Sequence, residues 1–66
     1  MVWILTQEYN DHAQHGEYFI ACFLEKPTQD QLLDHDVNPG EIPHVLNGGG
    51  RVKWESSWFY LREYRL

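Results

Sequence analysis

Trp58-Phe59-Tyr60-Leu61-Arg62-Glu63-Tyr64-Arg65-Leu66 is the densest aromatic run in the chain. Side chains this large are costly to leave in water, and a terminal segment is ordered only when tied into a sheet or a docked element. The run therefore reads as a central or near-central strand. Strand alternation sends Phe59 and Leu61 to one face and Trp58, Tyr60, Arg62 and Tyr64 to the other. Just upstream, Arg51 to Glu55 alternates Val52 and Trp54 with charged residues, the pattern of a half-exposed strand. Ser56-Ser57 joins the two as a C-terminal hairpin.

The N-terminal end supplies the partner strands. Met1 to Tyr9 is rich in β-formers, with Val2, Ile4 and Thr6 on one face and Trp3, Leu5 and Tyr9 on the other. Glu17 to Leu24 alternates Tyr18, Ile20, Cys22 and Leu24 against Phe19, Ala21 and Phe23. The polar stretch from Asn10 to Gly16 reads as a loop longer than a tight turn between them. At Lys26-Pro27-Thr28 the period changes: Thr28 with Gln31 makes a capping-box pattern ahead of Leu32 and Leu33, and Asp30 suits the first turn of a helix. Val37-Asn38-Pro39-Gly40 is a turn signal, and Glu41 to Asn47 has room for one more helical turn, limited by Pro43. Asn47-Gly48 suits a left-handed C-cap, and Gly48-Gly49-Gly50 serves as cap or connector. The expected architecture is α+β: a small four-stranded, mainly antiparallel sheet of two hairpins, with one short helix packed on one face. The expected strand order is second, first, fourth, third.

At 66 residues the chain is one domain, and ten aromatic residues compensate for its modest length. Its single cysteine, Cys22, has no partner for an internal disulfide. No secretory-signal pattern opens the sequence and no apolar run reaches the ~20 residues of a membrane span, so a cytoplasmic location is expected. The net charge of −5 is unevenly spread: residues 1–41 hold eight acidic side chains against Lys26, and residues 51–66 hold four basic against two acidic. An acidic front of this kind disfavours nucleic acid and favours a basic partner surface.

These residues resemble a loose group of short phage and prophage proteins of ββαβ-like pattern. The resemblance is carried by Glu8-Tyr9-Asn10 with Gly16-Glu17-Tyr18-Phe19, by Lys26-Pro27-Thr28 with Gln31-Leu32, and by Asn47-Gly48-Gly49-Gly50-Arg51 followed by Trp58 and Leu61-Arg62-Glu63-Tyr64. It implies a phage accessory origin and transfers no catalytic residue.

The residues themselves argue against an enzyme. Cys22, between Ala21 and Phe23 in an apolar strand, reads as a small buried hydrophobe, and Ser56 and Ser57 have no histidine nearby in sequence. His12, His15, His35 and His44 lack the spacing of a metal motif, so no metal and no other cofactor is expected. The glycine run lacks the Lys-Ser/Thr pair of a phosphate loop. What stands out is an excess of aromatics on both faces of the strands, against helical cover for one. The expectation is a non-catalytic protein that binds a protein partner, a second copy of itself, or both. In this reading Asp11, Glu17, Asp34 and Asp36 steer it to a basic surface, and Trp54, Trp58, Tyr60 and Tyr64 anchor it. With the phage resemblance, the expected partner is a host antiphage defence complex, blocked sterically in the manner of anti-CRISPR proteins. The alternative is a small nucleic-acid-binding or regulatory module using the basic, aromatic C-terminal hairpin.

Overall fold

The computed structural model describes residues 1–11, 14–51 and 57–65, the side chains at 10, 11, 14 and 15 excepted. Three strands form one antiparallel sheet: β1 (Val2–Asp11), β2 (Gln14–Phe23) and β3 (Ser57–Tyr64), in the order β2-β1-β3. Two short helices, α1 (Gln29–Asp34) and α2 (Ile42–Leu46), lie between β2 and β3 in sequence.

This corrects the expected four-stranded sheet with a single helix. The strand expected at Arg51–Glu55, Trp54 included, lies outside the described residues except for Arg51, which is not in a strand. The C-terminal aromatic run is an edge of the three-stranded sheet, and the central strand is β1, paired on both sides. The segment Asn10 to Gly16 is mostly strand: β1 continues to Asp11 and β2 begins at Gln14, with Asp11 opposite Gln14. Residues this polar hold a strand there because each has a backbone partner in the ladder, whatever its side chain prefers.

A β-bulge decides which side chains of β2 face where. Leu5 stands opposite Ala21 and Thr6 opposite Phe19, so Ile20 is the additional residue. A one-residue insertion reverses the facing of everything beyond it. Ala21 and Phe23 therefore share the face of Leu5, whereas Phe19 and Glu17 share the face of Thr6 and Glu8. Unbroken alternation would have placed Phe19 with Ala21 and Phe23.

The helices cover only the Leu5 face. Leu5, Leu32, Val37, Ile42, Val45 and Leu61 form the buried core, with Trp3, Ile20, Phe23, Leu46 and Phe59 packed around it. α1 starts as its sequence dictates: the Gln31 amide donates to Thr28 Oγ1 (3.3 Å) and the Thr28 amide donates to Gln31 Oε1 (2.9 Å), a complete capping box. It ends in a Schellman-type turn, with the Asp36 amide on the Leu33 carbonyl and the Val37 amide on the Leu32 carbonyl. Asp36 takes the left-handed position (φ 63°) that glycine more often occupies. The turn brings Val37 and Leu32 into the core together.

α2 closes in the same way, the Gly48 amide on Val45 O and the Gly49 amide on His44 O. The glycines then lie along the outer edge of β3: the Gly50 amide donates to Phe59 O (2.8 Å) and the Leu61 amide donates to Gly48 O (3.0 Å). A Cβ on Gly49 would sit 2.1 Å from the Phe59 carbonyl oxygen, at a φ of +74°. Gly49 is required twice over, by handedness and by contact. Gly48 also has positive φ, but nothing lies within 4 Å of its absent Cβ.

Three substitutions test this packing. Gly49→Ala should lower unfolding free energy by roughly 2–4 kcal/mol in urea denaturation, against about 1–2 kcal/mol for Gly48→Ala, which carries only the left-handed penalty. Equal effects would show that the glycine segment does not pin the β3 edge. Leu5→Ala, at the fully buried centre of β1, should cost about 2–5 kcal/mol, a large part of the stability of so small a domain.

Candidate functional site

The face of the sheet away from the helices is built by alternate residues of three strands. Val2, Ile4, Thr6 and Glu8 come from β1, Trp58, Tyr60, Arg62 and Tyr64 from β3, and Glu17, Phe19 and Cys22 from β2. Its polar half starts from a conflict. Glu8 and Glu17 stand directly opposite each other on β1 and β2, and like charges so placed repel.

β3 resolves the conflict by giving each carboxylate its own donors. Trp58 Nε1 donates to Glu8 Oε1 (2.8 Å), and Tyr60 Oη donates to the same oxygen (2.9 Å). The indole N–H is shared with Tyr60 Oη, also at 2.8 Å. Arg62 reaches across the central strand to bond Glu17, while Thr6 Oγ1 donates to the same Glu17 oxygen (2.7 Å). The Arg62 guanidinium also lies over the Tyr60 ring at 4.3 Å, and that of Arg51 lies over the Trp58 ring at 5.4 Å.

The electrostatic consequences follow from these bonds. The hydrogen bond from Arg62, and then that from Thr6, holds the Glu17 carboxyl below its ordinary range. The same bond from the other side pushes Arg62 up. Burial, followed by the adjoining Glu8 carboxylate, pushes the Tyr60 phenol up.

The other half of this face is apolar and open. Val2 and Ile4 are half-buried, Cys22 and Tyr64 are exposed, and Phe19 leaves 65% of its surface in solvent. Cys22 is thus a surface thiol, not the buried hydrophobe its neighbours suggested, because no described residue forms a second layer over its face of the sheet.

The proposed anchors fare differently from one another. Trp58 is 95% buried, with its indole N–H already committed to Glu8 and Tyr60, and Tyr60 is half-buried in the same network. Tyr64 shares their face and is exposed. Trp54 lies outside the described residues. Phe19, the most exposed aromatic side chain described, was missing from the expected set because only strand pairing reveals the bulge that turns it outward.

The four steering acids are not brought together. Glu17 is tied to Arg62 on the open face, and the Asp11 side chain is not described. Asp34 and Asp36 are exposed at the end of α1, on the opposite side of the sheet. There Glu25 and Asp30 are exposed as well, and the nearby Lys26 ammonium lies over the Trp3 ring at 5.6 Å. The molecule is two-sided, with exposed acids on its helical layer and an open sheet face whose charged groups each have hydrogen-bond partners within the chain.

Among the described residues no three His, Cys, Asp or Glu side chains converge as metal ligands would. His44 Nε2 contacts Gly50 O (3.2 Å) and His35 packs edge-on against Phe23. Also among the described residues, no helix is long and apolar enough to cross a membrane. Neither family models, nor curated proteins, nor solved structures give a match to this chain.

The Glu17–Arg62 pair predicts a pH dependence. With the folded-state pKa of Glu17 lowered, the pair's contribution is present above the ordinary glutamate value of about 4.3 and is lost as pH falls below it. For a partly exposed pair the effect is small, under about 1 kcal/mol. Glu17→Gln should therefore reduce stability at pH 7 and leave it nearly unchanged at pH 3, as read by thermal denaturation at both values. An equal loss at both would assign the role of Glu17 to packing.

Proposed function

We propose that this chain is a non-catalytic binding protein whose contact surface is the open face of its sheet. The observation that carries the reading is the exposure of Phe19, Cys22 and Tyr64 on one face of the sheet, across the half-buried Ile4 of β1, with no covering layer among the described residues. Exposed apolar surface of this kind marks interaction sites more often than it decorates a monomer. The Glu8–Trp58–Tyr60 and Glu17–Arg62 bonds hold the ground beneath it rigid, so little side-chain freedom is lost on binding.

The partner proposed is a bacterial antiphage complex in the host cytoplasm, blocked by occupancy. This rests on the resemblance to small phage proteins and on the −5 charge, which suits a basic, nucleic-acid-facing surface. The acidic helical layer contributes to long-range attraction, and the aromatic sheet face supplies short-range contact. Phe19 and Tyr64 take the anchoring role, with Trp58 and Tyr60 as their support.

Nucleic-acid binding by the C-terminal segment fits less well. Arg62 is engaged by Glu17, and both Arg62 and Arg51 already occupy the ring faces on which a base would stack.

Expression in bacteria carrying an active CRISPR-type nuclease complex directed at a phage tests the proposal. The chain should restore plating of that phage, and Phe19→Glu should abolish the rescue while circular dichroism shows it folded. No rescue against any of a panel of defence complexes would overturn the partner class. Rescue unaffected by Phe19→Glu would overturn the surface.

A further inference from the structure

We propose that β2 is a pairing edge for a second copy of this chain, joining two sheets through antiparallel β2–β2 contact into one six-stranded sheet. The two edges of the sheet are treated differently. Along β3 the chain covers its own edge, laying Gly48–Gly50 against Phe59 and Leu61 with two backbone hydrogen bonds. Along β2, ten residues long, no described segment pairs with the outer side.

Natural edge strands are commonly guarded by Lys, Pro, brevity or an unpaired charge. β2 has neither Lys nor Pro, and its one formal charge, Glu17, is neutralised within the chain by Arg62. The bulge at Ile20 is the single guard, and it leaves the run from Gln14 to Phe19 regular. Tyr18 and Phe19 are both exposed along that run, and Leu24 follows just beyond the strand, 81% exposed.

The chemistry that fits this edge is a neutral, aromatic, β-prone strand free of proline. β2 itself is such a strand, in any register that keeps the two Glu17 residues from facing each other. Size points the same way. Three strands about 4.8 Å apart and roughly 30 Å long give one chain an open face of only about 400 Å² in plan. A standard interface uses about 800 Å² per partner. Joining two sheets edge to edge lays two open faces side by side and doubles the ground on offer. The pairing stands independently of whether that ground meets a defence complex.

Sedimentation equilibrium over a dilution series, with amide hydrogen exchange at the two extremes, tests it. At high concentration the protein should have twice the monomer mass, and alternate amides of β2 should gain protection that dilution removes. Phe19→Lys, at a position too exposed to compromise folding, should weaken association by at least about tenfold. A monomer at every concentration would overturn the proposal. So would a dimer whose formation leaves β2 exchange unchanged, since that dimer packs by its faces, or one that Phe19→Lys does not weaken.

Discussion

Everything in this fold is arranged to keep Leu5 dry. It lies at the middle of the central strand, opposite Ala21 on one side and Leu61 on the other, with no exposed surface. A side chain so placed needs cover from above, and the sequence between β2 and β3 supplies it in two short helical pieces. Leu32, Val37, Ile42 and Val45 converge there because each helix ends in a tight left-handed turn that folds the chain back onto the sheet. Neither helix is long enough to be stable alone. They hold because the capping box, the turn at Asp36 and the glycines after Asn47 fix their ends, and the shared core fixes their faces.

The same constraint leaves the other face to fend for itself. The described residues place their covering layer on the Leu5 face, and on the second face cross-strand side-chain bonds link the three strands. Arg62 is central to that solution, since it starts on β3, crosses β1 and meets Glu17 on β2. One side chain thus ties all three strands and relieves the repulsion between Glu17 and Glu8. Trp58 and Tyr60 complete the arrangement from below Glu8. Aromatics that looked like free anchors are therefore mostly structural, and the exposed apolar residues lie beside them.

Much of this was legible in the residues. Alternation in Met1–Tyr9 and in Trp58–Tyr64 gave the correct facing of both strands, because neither contains an irregularity within its paired run. Thr28 and Gln31 announced the start of α1, and Asn47-Gly48 announced the end of α2, because caps use local chemistry that a sequence states directly. The facing of Phe19 was not legible. The bulge arises because nine residues of β1 are matched across space against ten of β2, and nothing in Tyr18-Phe19-Ile20-Ala21 marks which one is additional. The edge position of β3 was hidden for a related reason: neighbours in a sheet are chosen by non-local pairing. The loop reading of Asn10–Gly16 failed because backbone pairing outweighed polar composition, and Cys22 was misjudged because burial depends on a second layer, which no described residue supplies on its face.

Charge placement shows why the two-sided design is compatible with association. Asp30, Asp34 and Asp36 are exposed on α1 and the turn that ends it, and the only formal charges in the described part of the open face's ladder are Glu8, bonded by Trp58 and Tyr60, and the Glu17–Arg62 pair. A helical layer sits about 10 Å from the opposite side of the sheet it covers, by analogy with the spacing of stacked layers. The screening length at physiological salt is about 8 Å. Contact made on the open face is therefore separated from the acidic layer by more than one screening length, so the −5 that each copy carries is largely screened there. The acidic layer still acts at low salt, where screening lengthens and like charges repel. Association of two copies should thus strengthen as salt rises, whereas attraction to a basic partner should fade, and the sign of that dependence separates the two kinds of contact.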